Sequence, residues 1–317
     1  MKEIGGYFEL ELKPYHNFPQ DRGVFLNSGR SALGYILHSL FPVTKLWIPY
    51  LTCDVVLEPI NRLDIQYVFY EVNERLELAE NIELKPNEYL LYNNYFGIKT
   101  SYVENLFIKY GNQLIVDNAQ ALYAKHIDGT NSLYSPRKFV GIPDGGIAYT
   151  NKKSILELKQ DLSYDRCSHL MKRIDCSASF GYDDFKKNSL CLKNQTPLQM
   201  SNLTKKMIDG IDFRFVFNQR RKNFDYLHSI LKKSNLLKFE IKENDCPLVY
   251  PYISKKIGLR EKLIHNNVFV ATYWPNVFEW CNTSALEYNL AKNIVSLPID
   301  QRYSTDDIFE IAKIIEK

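Results

Sequence analysis

The chain has 317 residues, 45% of them hydrophobic and 24% charged, enough apolar material for a large core and a second, smaller domain. Its 40 basic and 37 acidic residues leave a formal charge of +3, dispersed along the sequence without a basic block, which argues against a nucleic-acid partner. No run approaches the ~18 apolar residues of a membrane span.

Residues 1–26 carry Gly5, Gly6, Pro14, Pro19 and Gly23 and read as an irregular arm. The arm opens without the apolar core of a secretion signal. Asn27-Ser28-Gly29-Arg30 then leads into a periodic apolar run at Leu33, Tyr35, Ile36 and Leu40, the pattern of a capped helix. The open amides at Ser28 and Gly29 could hold a phosphate, or simply form an ordinary cap. Lys45–Pro49 reads as a strand, and Pro49 through Asp54 opens a helix reaching Ile60. Ile65–Tyr70 is β-branched and aromatic, a second strand. After a helical stretch, Tyr89–Tyr92 is a third strand, closed by Asn93-Asn94-Tyr95-Phe96-Gly97. A helix over 100–110 and a strand over Leu114–Val116 follow, ending in Asp117-Asn-Ala-Gln120.

Strands alternating with helices in this way predict an α/β fold: a three-layer sandwich around a mostly parallel sheet. Ligands in such folds gather at the carboxyl ends of strands. Asn27–Gly29, Pro49–Cys53, Asn93–Gly97 and Asp117–Gln120 all fall at such ends.

After Thr150 the pattern changes to helices, expected over 153–161, 163–175, 196–209 and 213–233. Strand-like runs return at Leu248–Ile253, Val268–Thr272 and Ile294–Ile299, before an amphipathic helix near 305–316 that opens at Ser304. The expected division is a large domain with connecting helices over 1–234 and a smaller α+β domain over 235–317. The six cysteines, Cys53, Cys167, Cys176, Cys191, Cys246 and Cys281, include no C-x-x-C pair, and the six histidines are isolated. They read as reduced thiols of a cytoplasmic protein without a metal site.

The chemistry concentrates between Leu114 and Thr150. Asp117 ends an apolar run, and Lys138 follows one strand later, beside the rigid turn Gly141-Ile-Pro-Asp144-Gly-Gly146. A pyridoxal phosphate enzyme needs this pair: a carboxylate to keep the pyridine nitrogen protonated, and a lysine to bond the cofactor's carbonyl carbon and then move protons. Gln120 could donate to a phenolic ring oxygen. Taken singly, Asp117 and Gln120 could be caps of the next turn and Lys138 a solvated loop lysine. Arg137 is a rival for anion binding.

The ordered segments Ser28-Gly-Arg-Ser-Ala-Leu33, Ile48-Pro-Tyr-Leu-Thr-Cys53, Asn94-Tyr-Phe-Gly97, Val116-Asp-Asn-Ala-Gln-Ala121, Ser135-Pro-Arg-Lys-Phe-Val-Gly-Ile-Pro-Asp-Gly-Gly146 and Val295-Ser-Leu-Pro-Ile-Asp300 resemble the DegT/DnrJ/EryC1/StrS family of sugar aminotransferases. These are pyridoxal phosphate enzymes of fold type I. The likeness spans residues 25–150 well and the last 80 weakly. It implies an aminotransferase acting on a keto sugar, nucleotide-linked, with an amino acid as donor, built as a homodimer with active sites at the subunit interface. It implies Lys138 and Asp117 as catalytic residues. Ser28, Gly29, Arg30, Cys53, Asn94, Gln120 and Ser135 would complete the cofactor site.

The alternatives are a pyridoxal phosphate dehydratase or lyase and a non-catalytic binding protein. Lys138 favours transamination over the family's sugar dehydratases, in which histidine stands at that place.

Three positions depart from the family pattern. Cys53 stands where a stacking aromatic is common, with Tyr50, Tyr95 or Phe96 as substitutes. Leu133 stands where a phosphate-binding serine usually lies, flanked by Ser132 and Ser135, of which Ser135 has the better spacing. Asp212 occupies the place of an asparagine that reaches the partner subunit's phosphate, where its charge would repel.

Overall fold

The computed structural model describes residues 4–152 and 156–316. Seven strands make one sheet: β1 (Val24–Leu26), β2 (Lys45–Pro49), β3 (Tyr67–Tyr70), β4 (Glu88–Asn93), β5 (Leu114–Asn118), β6 (Asn131–Tyr134) and β7 (Gly146–Tyr149). Their order is β1-β7-β6-β5-β4-β2-β3. The pairs β2–β3, β2–β4, β4–β5 and β5–β6 are parallel, while β7 runs antiparallel to both β6 and β1. The mostly parallel α/β sandwich expected from the alternation is the fold observed.

Side-chain alternation along the strands divides the core in two. Leu46, Ile48, Leu91, Ile115, Leu133 and Ala148 face α1 (Gly29–Leu40) and α2 (Leu57–Arg62). Leu90, Tyr92, Leu114, Val116, Tyr134 and Ile147 face the opposite side, where α3 (Thr100–Tyr110) contributes Val103 and Leu106. Strands buried on both faces explain the near-continuous apolar runs in the sequence.

Helices α4 (Ser168–Asp175), α5 (Tyr182–Cys191), α6 (Asn202–Asp209) and α7 (Phe213–Leu231) connect to the C-terminal part. There β8 (Tyr250–Tyr252), α8 (Leu259–His265), α9 (Val277–Trp280), α10 (Leu286–Asn293), β9 (Val295–Leu297) and α11 (Thr305–Glu316) follow in order. β8 and β9 pair antiparallel. A third apolar cluster joins Phe224, Leu227 and Leu231 of α7 to Leu263, Leu297, Ile308 and Ile311. Among the described residues no helix is long and apolar enough to cross a membrane.

Several expected elements differ. Val24–Leu26, placed in the irregular arm, is an edge strand paired with β7. The helical stretch expected before Tyr89 is a chain of turns. The amides of Arg75 and Glu77 both donate to the side-chain oxygen of Asn73, and Leu76 adopts φ 61°, so a local Asn turn replaces the helix. The helix expected over 153–161 begins outside the described residues, and its remainder is extended. The chain there runs beside residue 199, with Gln199 N donating to Lys159 O and Asp161 N to Gln199 O. The helix expected over 196–209 starts at Asn202, because Ser201 caps it by accepting from the Thr204 amide. Val268–Thr272 forms no strand; Val268 closes α8 by donating to Leu263 O. Helix α5 was not expected at all.

Candidate active site

The strand parity that builds the core also places the site. Asp117 shares the parity of Ile115 and lies at the α1 side of the sheet, at the carboxyl end of β5. Leu133 and Ser135, on and just after β6, carry the same side to the turn Pro136–Lys138. Pro136 opens that turn, which fixes φ and ends the strand. On the far side, β7 reaches the start of α1 so closely that a β-carbon on Gly146 would lie 2.1 Å from Ser28 O. Only glycine permits this approach, and Gly145 N donates to Asn27 O at 2.7 Å to hold it. Asn27 is itself fixed from below: its amide donates to Asp161 and Gln195 at 2.9 and 2.8 Å, and it accepts from Ser31 Oγ at 2.6 Å.

Between these elements lies a cavity of about 240 Å³. Ser28, Gly29, Arg30, Cys53, Asp117, Ser135 and Lys138 all line it. These seven candidates come from four separate stretches of chain.

Asp117 is half-buried and accepts from the Ala119 amide at 2.8 Å. Burial raises its pKa above the ordinary carboxylate value, while the positive charge of Lys138 and the Ala119 N–H pull it back. Cys53 is raised in the same way by burial, and the Val55 amide and Lys138 oppose that shift. Lys138 is thus the cation that both groups feel across the cavity. Its side chain is exposed and makes no hydrogen bond or ion pair among the described residues.

Asn94 and Gln120 are not in the wall. Asn94 shares the parity of Asn118, donates to its Oδ1 at 3.0 Å, and accepts from Lys99 N at 3.1 Å. It borders a separate cavity of about 280 Å³ on the opposite face of the sheet. Gln120 Oε1 accepts from Phe96 N at 2.8 Å, and its Nε2 is buried with no partner among the described residues. Both residues thereby fix the turn Tyr95–Gly97, where Phe96 has φ 54° and Gly97 has φ 75°.

The positions that depart from the family pattern have their own local roles. Tyr50 stacks on Phe69 with centroids 4.6 Å apart, while Tyr95 and Phe96 are fully buried against Trp274. None of the three borders the cavity; beside Cys53 its wall is Val55 and Val56. Asp212 caps α7, accepting from the Arg214 and Phe215 amides at 3.1 Å each and from Asn17 at 3.0 Å. The wall also includes Phe185 and Ser189, one turn apart on α5, which the sequence reading does not place in the site. Their i, i+4 spacing was the available signal, hidden because Lys186, Lys187 and Asn188 make the segment look like a surface loop.

No family model matches the chain, and no curated protein matches it. Solved structures do. CalS13, a sugar aminotransferase from Micromonospora echinospora, superposes with a TM-score of 0.62 over 94% of this chain and 88% of its own, at 12% identity. A DegT DnrJ EryC1 StrS aminotransferase from Brucella abortus gives 0.57 over 94% and 86%, at 14% identity. Spr1654 from Streptococcus pneumoniae in its apo form gives 0.65 over 94% and 86%, at 12% identity, and PLP and PMP forms of it match as well. The chain has the fold of these aminotransferases.

Proposed function

We propose that the protein is a pyridoxal phosphate-dependent aminotransferase that aminates a keto sugar, nucleotide-linked, using an amino acid as donor. The observation that carries this reading is that Asp117 and Lys138, 21 residues apart in sequence, face one cavity in which Lys138's charge is felt by the carboxylate. The names of the structural neighbours, sugar aminotransferases among them and one with PLP and PMP forms, support it.

The donor set suits the cofactor. A half-buried carboxylate raised by burial lacks a strong partner in the protein alone, and a protonated pyridine nitrogen would supply one. The amides at Ser28 and Gly29, with Ser135 next to them, offer donors for a phosphate. When bound, pyridoxal phosphate supplies an electron-accepting ring that stabilises negative charge on the substrate carbon. Asp117 would keep that ring cationic by holding the proton on its nitrogen. Lys138 would bond the cofactor at rest and, once displaced by a substrate amine, accept and return the proton at the reacting carbon. Val55 and Val56 would exclude water from one side of the ring. An exposed Lys138 and an open cavity fit completion of the site by a second copy of the chain, as in a homodimer.

The test is amine transfer. Purified protein incubated with glutamate and a panel of nucleotide-linked keto sugars should release 2-oxoglutarate and form an amino sugar in equal amounts, both read by mass spectrometry. Loss of water or of amine without an acceptor would reject transamination in favour of elimination.

A further inference from the structure

The other arginines near the cavity are already paired. Arg30 Nη1 lies 2.9 Å from Glu58. Arg166 pairs with Asp161 at 2.7 Å and with Asp144 at 3.5 Å. Asp144 is occupied further by the Ser201 amide at 3.2 Å. Arg137 is different. It lines the cavity next to Lys138, is half-buried, and has no hydrogen bond or ion pair among the described residues. Burial pushes its pKa down to about 10, with Arg30 and Arg166 adding to the effect and Asp144 opposing it. A guanidinium withdrawn from water without a counter-charge costs free energy that an anion would return.

The same wall supplies the rest of an anion site. The amides of Gly29 and Arg30 belong to the first turn of α1 and have no intrahelical acceptor, whereas that of Ser31 is met by Ser28 Oγ. A β-carbon on Gly29 would lie 3.7 Å from that of Ser135, so the helix start and the Ser135–Lys138 turn form one edge. Leu133, the expected position of a phosphate-binding serine, packs into the core and offers no donor, and Asp212 is committed to capping α7. Neither of these two positions supplies a phosphate donor, which leaves Ser135 on the turn and, two residues on, the free guanidinium of Arg137.

We infer that Arg137 is the principal phosphate anchor of this site, binding the cofactor's phosphate monoester as a charged fork where a serine and a cross-subunit asparagine would otherwise serve. Arginine suits the task because its planar donors match two phosphate oxygens at once.

The inference rests on the cofactor reading above, and the experiment separates the two. Dissociation constants for pyridoxal phosphate and for pyridoxal, which lacks the phosphate, are measured by absorbance titration of wild type, Arg137→Gln and Arg137→Lys. Wild type should prefer pyridoxal phosphate strongly. Arg137→Gln should weaken pyridoxal phosphate about 10- to 100-fold, the weight of a charged hydrogen bond, while leaving pyridoxal unchanged. Arg137→Lys should fall between. Inorganic phosphate should raise the melting temperature of wild type and not of Arg137→Gln.

Equal weakening of both ligands, or an unchanged preference, would overturn the assignment, as would a variant altered only in its affinity for a nucleotide sugar. Absence of pyridoxal phosphate binding in wild type would instead reject the cofactor reading. Phosphate stabilisation lost in Arg137→Gln would then still support an anion site at Arg137, and stabilisation retained would overturn it.

Discussion

Gly146 on β7 lies against Ser28 at the start of α1 so closely that any β-carbon would sit 2.1 Å from the Ser28 carbonyl oxygen. The obstacle is backbone, which cannot swing aside as a side chain could. Gly146→Ala should therefore push β7 away from α1, at a cost of about 1–3 kcal/mol or more in stability, as overpacked cores show. It should also weaken cofactor binding, because the same contact sets the height of the Ser28–Gly29 amides. Thermal denaturation and cofactor titration check both effects; an unchanged melting temperature would mean the approach is looser than described.

Asp117 gives a pH prediction with a defined sign. Burial raises its folded-state pKa above the ordinary carboxylate value. A group raised in the folded state favours folding while protonated, so that contribution is present below the ordinary value and is lost as pH rises through the raised one. The cofactor-free protein should lose stability over this interval, and Asp117→Asn should lose less, the remainder coming from Asp144, which burial also raises. At neutral pH the variant should be as stable as wild type or more so, yet its aminotransferase activity should fall by at least about 10²-fold, the scale of removing one charge from a preorganised site. Denaturant unfolding at several pH values and a rate assay read the two halves separately.

Lys138 should separate function from stability. Its side chain is exposed and without hydrogen bonds among the described residues, so Lys138→Ala should shift stability by no more than about 0.5 kcal/mol. The same variant should lose the visible absorbance of lysine-bound cofactor. It should also raise the pKa of Cys53 further, since Lys138 now holds it down, and slow the alkylation of Cys53 at a fixed pH.

Asp212 is assigned a capping role rather than a phosphate role. Asp212→Ala should cost about 1 kcal/mol, the usual weight of an N-cap, while Asp212→Asn keeps the acceptor and most of the stability. Neither should alter the preference for pyridoxal phosphate over pyridoxal.

Strands β2 to β5 were legible because they are short apolar runs closed by turn residues, and the helices over 100–110 and 305–316 because periodicity and bounds agree. What misled was local chemistry: the Asn73 side chain turned an expected helix into a loop, and the pairing of 159–161 with Gln199 drew another segment into extended form. Within the site, Asp117, Ser135 and Lys138 could be read because strand ends and one Pro-led turn place them. Asn94 and Gln120 sit at the same strand ends, yet parity sends Asn94 to the other face, and Gln120 turns to the Phe96 amide. Sequence gives the end of a strand more readily than the face to which its last side chain turns. Phe185 was hidden for another reason: its helix is polar around most of its circumference, so nothing in the pattern announced that one face met a cavity.

The central claim is that Lys138 and Asp117 form one pyridoxal phosphate site, and an absorbance titration tests it most directly. Wild-type protein mixed with pyridoxal phosphate should develop a visible band, absent in Lys138→Ala, that is lost on adding glutamate and returns on adding 2-oxoglutarate. A wild-type spectrum equal to the sum of free protein and free cofactor, unaffected by glutamate, would contradict it.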